Sequence, residues 1–430
     1  MDNDATISSA IPLTKPDSLS RRAWMMVWMC MLGTCCCSTA VVLINVGVFM
    51  KPLAEANGWS RGGIAMALSI AAIAMAAANP FVGRAIDRFG VRPVLITSMV
   101  SFGLATASVP LLVDLWGLTG LYVAYALIAA LGSGSNVIAY VRVLSGWFSG
   151  PMNKSRGLAL GISSAGLPLG AAASGPIGVL LIERFGWQGG YWGLALIPLV
   201  IGRPIAVFGI RMPTHDAPEQ PKGAPASSAH LPGMTLGEAM RTRSFWLLTV
   251  IVLLMSTTLQ GLGIHTVPLL SDYQLTATWI AIILALDQIL GIGARVGAGF
   301  LFDRFFAPRV SILIFGLAAV ASFALAGFPG LVVAIIATLL ITVGSGAESD
   351  FVGYLVGRYF GLKCYGQIFG TIYAMFMVGI ALGPFLFGVA FDTFGDYRIP
   401  FGLAGLGLAI ICILLLFLPR YSDEMSAKQG

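Results

Sequence analysis

Apolar residues fall along this chain in long blocks separated by short polar stretches. The blocks run at roughly 23–50, 62–82, 93–113, 118–146, 158–182, 189–210, 245–270, 277–301, 309–328, 331–356, 365–390 and 400–419. Each holds about 20 residues or more, the length an α-helix needs to cross the hydrocarbon of a bilayer. Backbone polar groups in lipid must be satisfied within the segment, so blocks of this kind read as helices. The pattern predicts an all-α membrane protein with twelve transmembrane helices. The longest internal polar stretch, 211–244, is rich in Pro, Ala, Gly and Ser and reads as a linker. It divides the chain into a polar tail (1–22), a six-helix bundle (23–210), the linker (211–244), a second six-helix bundle (245–419) and a short tail (420–430). The polar start lacks the basic, apolar and small-residue regions of a signal peptide, so the first block is expected to be a retained span.

Composition agrees with this reading. Of 430 residues, 57% are hydrophobic and 10% charged, against about 25% charged in a soluble domain. The net charge of +6 does not point to nucleic acid, because the basic residues sit in loops and form no continuous stripe. They set orientation instead. With the N-terminus in the cytoplasm, 18 of the 25 Lys and Arg lie in cytoplasmic segments, four lie outside, and three (Arg142, Arg203, Arg295) lie within spans. Both termini are therefore expected in the cytoplasm, and the protein in the inner or plasma membrane.

The chemistry is sparse. The six cysteines show no disulfide framework or metal spacing. Cys35, Cys36 and Cys37 would point about 100° apart on a helix. No HExxH, GxSxG, Walker motif or histidine cluster is present, so no metal, cofactor, enzymatic activity or direct use of ATP is expected.

The two halves echo each other. Gly83-x-x-x-Asp87-Arg88-Phe89 follows the second block, and Gly299-x-x-x-Asp303-Arg304-Phe305 follows the eighth, an offset of 216. Gly132-Ser133-Gly134 and Gly344-Ser345-Gly346 lie in the fourth and tenth blocks, an offset of 212. Corresponding spans run in the same direction, so the repeat is parallel. Its site is expected near the midplane between the halves, with access alternating as one half rocks against the other.

Gly83-x-x-x-Asp87-Arg88-x-Gly90-x-Arg92, with its copy at Gly299, Asp303 and Arg304, resembles the signature loop of the major facilitator superfamily. Phe306 stands where the copy would carry its later glycine. The resemblance implies that these loops latch helix ends and bias the open-state equilibrium. A carboxylate facing a helix N-terminus is favoured by the helix dipole. A narrower set of residues resembles monocarboxylate transporter-like permeases. It comprises Asn57-Gly58-Trp59-Ser60-Arg61, Trp147-Phe148, Arg156-Gly157-x-Ala159-x-Gly161, Gly166-x-x-x-Gly170, Phe245-Trp246, His265-x-x-Pro268 and Gly291-x-x-x-Arg295-x-x-x-Gly299-x-x-x-Asp303. That resemblance implies proton-coupled movement of small organic carboxylates, with Arg295 holding the carboxylate. The better-known animal members carry a late lysine in helix 1, where this chain has Ile44 and Asn45. They also carry an acid four residues before the arginine, where this chain has Gly291. Proton handling is therefore expected to differ.

An ionisable residue inside a span is costly and is a functional candidate for that reason. Arg295 can hold a carboxylate through two parallel hydrogen bonds, or form a structural ion pair. Arg142 is either a second anion contact or a salt-bridge partner of Glu348 or Asp350. Asp287, Glu348 and Asp350 are the candidate proton carriers, with Asp287 leading. Glu348 and Asp350 lie about 200° apart on a helix and cannot both face one cavity squarely. His265 is either a relay or a packing residue. Asn45, Asn136 (the repeat counterpart of Glu348), Tyr140, Tyr354 and Tyr373 are candidate substrate contacts, and with Phe376 they would tolerate an aromatic acid. The function expected is secondary active uptake of a small organic anion with protons, by a monomer. An exchanger, an exporter, or a carrier of a neutral or peptide-like solute is the alternative.

Overall fold

The computed structural model describes residues 16–149, 154–212, 233–272, 277–327 and 330–421. Both tails beyond these limits and the middle of the linker lie outside the described residues. The chain is all-helical: α1 (Pro16–Cys35), α2 (Val46–Asn57), α3 (Arg61–Phe89), α4 (Val91–Ala107), α5 (Val109–Gly132), α6 (Val137–Trp147), α7 (Arg156–Ser164), α8 (Gly166–Leu196), α9 (Leu236–Ala239), α10 (Arg243–Asp272), α11 (Ala277–Arg304), α12 (Ala307–Ala326), α13 (Leu331–Tyr359), α14 (Tyr365–Phe394) and α15 (Arg398–Leu416).

Eight helical stretches among the described residues are long and apolar enough to cross a membrane. Two of them are composite. Residues 109–147 break at Gly117 (φ 59°, ψ −135°) and residues 156–209 at Gly186 (φ 72°, ψ 177°). Glycine adopts these angles without strain, and each marks a break between two helical segments. The outer surface is apolar, with Phe81, Phe208 and Leu416 each more than 70% exposed. That is the surface a protein presents to lipid.

Two blocks expected as continuous helices are broken. The first stops at Cys35, turns through Cys36–Ser38, continues as a π-helical turn (Thr39–Leu43), and restarts at Val46. Cys36 and Cys37 thus leave the helical path on which their spacing was judged. The fourth block breaks at Ser133–Asn136. The two breaks bond to each other. Ser38 N–H donates to Ser135 Oγ (3.3 Å), Thr39 N–H to Asn136 Oδ1 (3.4 Å), and Asn136 Nδ2 to Ser38 Oγ (3.2 Å). Irregular backbone survives at membrane depth only when it finds partners in this way.

Helices α1–α8 pack among themselves, as do α10–α15. The two sets meet chiefly along α3 against α14 and α7 against α11. Glycines bring these pairs close. A Cβ on Gly83 would overlap the Gly366 carbonyl and one on Gly366 the Gly83 carbonyl; Gly157 and Gly299 relate in the same reciprocal way. Small residues permit such approach between membrane helices.

Candidate functional site

The helix ends that follow the signature loops are joined across the two sets. Asp87, at the end of α3, accepts the backbone N–H groups of Gly366 (3.0 Å) and Gln367 (2.8 Å) at the start of α14. Asp303, at the end of α11, accepts those of Gly157 (2.7 Å) and Leu158 (2.8 Å) at the start of α7. Each carboxylate caps two N–H groups that have no partner within their helix, at its positive end. The neighbouring loop residues do other work. Arg88 lies over the Phe89 ring (5.2 Å) and Arg304 over Phe300 (3.9 Å). Arg92 donates to the Val207 carbonyl, and Gly90 supplies a positive φ of 85°.

Arg142 is brought to this latch and not to Glu348 or Asp350, the partners considered from its sequence position. Its Nε lies 4.0 Å from Asp87 Oδ1. Tyr354 belongs to the second latch, donating to the Phe302 carbonyl (2.7 Å) and accepting from Arg358 Nη2 (2.9 Å). Arg156, singled out in the sequence only as the start of the Arg156-Gly157 motif, directly precedes the latched Gly157. It is 4% exposed, donates to Ser145 Oγ (2.8 Å), and fills the space a side chain at Gly357 would need.

A second polar centre lies where α7, α10, α11, α13 and α14 converge. Arg295 is half-buried on α11 at the level where Gly346 of α13 abuts the α11 backbone, so its charge bears on Glu348 and Asp350 of α13. The two acids point apart, as two residues of helix require. Gln260 Nε2 of α10 donates to Glu348 Oε1 (2.9 Å), and Ser164 Oγ of α7 to Asp350 Oδ2 (2.8 Å). Glu348 Oε2 and Asp350 Oδ1 are buried with no hydrogen-bond partner among the described residues. Tyr373 of α14 stacks between Phe369 and Phe376. Gln260 and Ser164 were missed in the sequence. The signal was present for Gln260, a lone amide within a long apolar block.

The other candidates lie elsewhere. Asp287 accepts a hydrogen bond from Thr342, about two helical turns from Arg295. His265 lies between Tyr397 (Nδ1 to Oη, 3.4 Å) and the Pro384 carbonyl (3.3 Å), stacked on Phe387. Asn45 ties the broken first block to α8 through Ser174 Oγ (2.7 Å). Tyr140 is buried against Gly33, its hydroxyl without a hydrogen-bond partner among the described residues. Among those residues no group of three or more His, Cys, Asp or Glu could hold a metal.

A family model described as Major Facilitator Superfamily matches residues 30–371. The chain belongs to the major facilitator superfamily. It is 25% identical over 390 residues to the rat protein named monocarboxylate transporter 4, covering 86% of this chain and 78% of that one. It is 25% identical over 394 residues to the gentisate transporter of Corynebacterium glutamicum, covering 88% and 84%. Among solved structures, the E. coli fucose:proton symporter FucP superposes with a TM-score of 0.68 at 15% identity, covering 93% of this chain and 99% of that one. That likeness establishes the fold alone. These relatives are transporters, and this chain is a membrane-spanning transporter of the superfamily, not an enzyme.

Proposed function

We propose that this protein carries a small organic carboxylate across the membrane together with protons, by alternating access. The observation that carries the proposal is the pair of buried carboxylates Glu348 and Asp350 on α13, each with an oxygen that has no hydrogen-bond partner among the described residues, on the helix packed against the one that carries Arg295. Relatives named for monocarboxylate and gentisate transport support the choice of a carboxylate.

Charge neutrality supplies the coupling. Buried charges must be paired or neutralised. One arginine with two acids is neutral when one acid holds a proton. A substrate carboxylate arriving at Arg295 adds a negative charge, and a second proton restores neutrality. Glu348 and Asp350 are therefore the proton carriers in this account. Asp287, the leading candidate by depth in its span, accepts a hydrogen bond from Thr342 about two helical turns from Arg295.

Twelve spans are supported by the breaks at Gly117 and Gly186, which divide the two composite stretches. The latched face is taken as cytoplasmic on the distribution of Lys and Arg, with both termini there, and the closed latches then hold the two sets together on the cytoplasmic side.

The test is uptake into proteoliposomes under an imposed pH gradient, with labelled mono-, di- and aromatic carboxylates. One acid should accumulate when the outside is acidic, and Arg295→Ala should abolish that accumulation. If no acid moves, or the variant transports like the wild type, the carboxylate reading fails.

A further inference from the structure

A pocket of about 440 Å³ lies at the ends of α12 and α15, away from the central site, lined by Phe306, Arg309, Arg420 and Tyr421. It forms where the start of α12 meets the segment leaving α15, two helices packed along their lengths. The junction is built. Ala307 N–H donates to Tyr421 Oη (3.3 Å), and the Phe306 and Tyr421 rings lie 4.9 Å apart. Tyr421 also packs on Tyr359 (5.3 Å) and under the Arg358 guanidinium (5.7 Å).

Arg309 and Arg420 are exposed at the rim, and no acidic residue lines the pocket among the described residues. Two guanidinium groups can each meet an oxyanion through parallel hydrogen bonds. A free anion would need nothing more. This pocket has more: one turn from Arg309 on α12, Leu313 is 62% exposed, and at the end of α15, just before the segment that carries Arg420, Leu416 and Phe417 are 71% and 54% exposed. Arginines directly above exposed apolar side chains sit at headgroup depth, with hydrocarbon beneath. Basic pockets between helices at this depth take anionic headgroups.

We propose that the α12–α15 pocket binds the phosphate of an anionic phospholipid, held by Arg309 and Arg420, with its acyl chains along Leu313, Leu416 and Phe417. The site abuts the second latch, since Arg358 bridges Tyr421 to Tyr354 and adds its charge to the field of Asp303. The proposal is independent of which solute the protein carries.

The test is native mass spectrometry of the full-length protein released from bilayers of phosphatidylglycerol and phosphatidylcholine. The wild type should retain one phosphatidylglycerol per chain in preference to phosphatidylcholine. Arg309→Gln with Arg420→Gln should lower that retention at least tenfold. Arg203→Gln, which removes an exposed arginine outside the pocket, should leave it unchanged. Arg309→Lys with Arg420→Lys keeps the charge without the fork and should retain an intermediate amount, which guards against misfolding of the first pair. Equal retention of both lipids, or undiminished retention in the Gln pair, overturns the proposal. So does displacement of the lipid by millimolar inorganic phosphate, which would mark a site for a soluble anion.

Discussion

The carboxylate of Asp87 lies 3.0 Å from the backbone nitrogen of Gly366, across the seam between the two helix sets. Asp303 repeats the arrangement on Gly157 at 2.7 Å. The glycines explain the closeness: each latch rests on a pair whose missing Cβ atoms let two backbones touch. Charge, helix dipole and sterics therefore act at the same two points, and both points join the sets at one face.

Removing one carboxylate should open one latch. Two hydrogen bonds to a charged acceptor are lost in Asp303→Ala, a change of about 2 kcal/mol or more. Backbone hydrogen exchange at the start of α7 should rise roughly 30-fold, while exchange at the start of α14 changes little. Asp87→Ala should give the reverse pattern.

A side chain in either seam should act as a wedge. Gly299→Leu places its Cβ on the Gly157 carbonyl, with no flexible neighbour to yield. Membrane insertion should persist, because the outer apolar surface is untouched, while the transport rate falls to about a tenth or less. Surface abundance and uptake, measured together, separate the two effects.

Arg295→Ala leaves two buried carboxylates without their cation. Removing a cation that faces buried carboxylates leaves their charge less compensated, so the melting temperature should fall. Adding Glu348→Gln and Asp350→Asn to Arg295→Ala should restore melting without restoring transport. Recovery of uptake in the triple variant would show that the arginine serves only to neutralise the acids.

His265 is expected to be a packing residue. Its two ring contacts, at 3.3 and 3.4 Å, are long, and its stacking partner Phe387 can receive another ring. His265→Phe should cost about 1 kcal/mol or less and leave the pH dependence of uptake intact.

The apolar blocks made the helices legible, because membrane helices are written by length and hydrophobicity. The internal repeat made the latches legible, since Asp87 and Asp303 recur at one offset after matching spans. The breaks at Cys36–Ser38 and Ser133–Asn136 were hidden: nothing local distinguishes them from small residues in a continuous helix. Their cause is the mutual bonding of Ser38 and Asn136, a contact between distant segments. The same reason hid the partner of Arg142. Depth in its span suggested the acids of the tenth block, whereas helix packing turns it to Asp87. Angular spacing correctly set Glu348 and Asp350 apart. It did not reveal that the charge of Arg295 bears on both, because that depends on where α11 lies against α13.

The central claim is that carboxylate movement is tied to protons through the acids of α13. It is tested most directly by comparing wild type with Glu348→Gln in proteoliposomes, using the acid found in the uptake panel. The account predicts that the wild type accumulates the acid against its gradient when the outside is acidic. Glu348→Gln should exchange labelled for unlabelled acid yet fail to accumulate it. Accumulation by Glu348→Gln at the wild-type level, with the same pH dependence, would contradict the account.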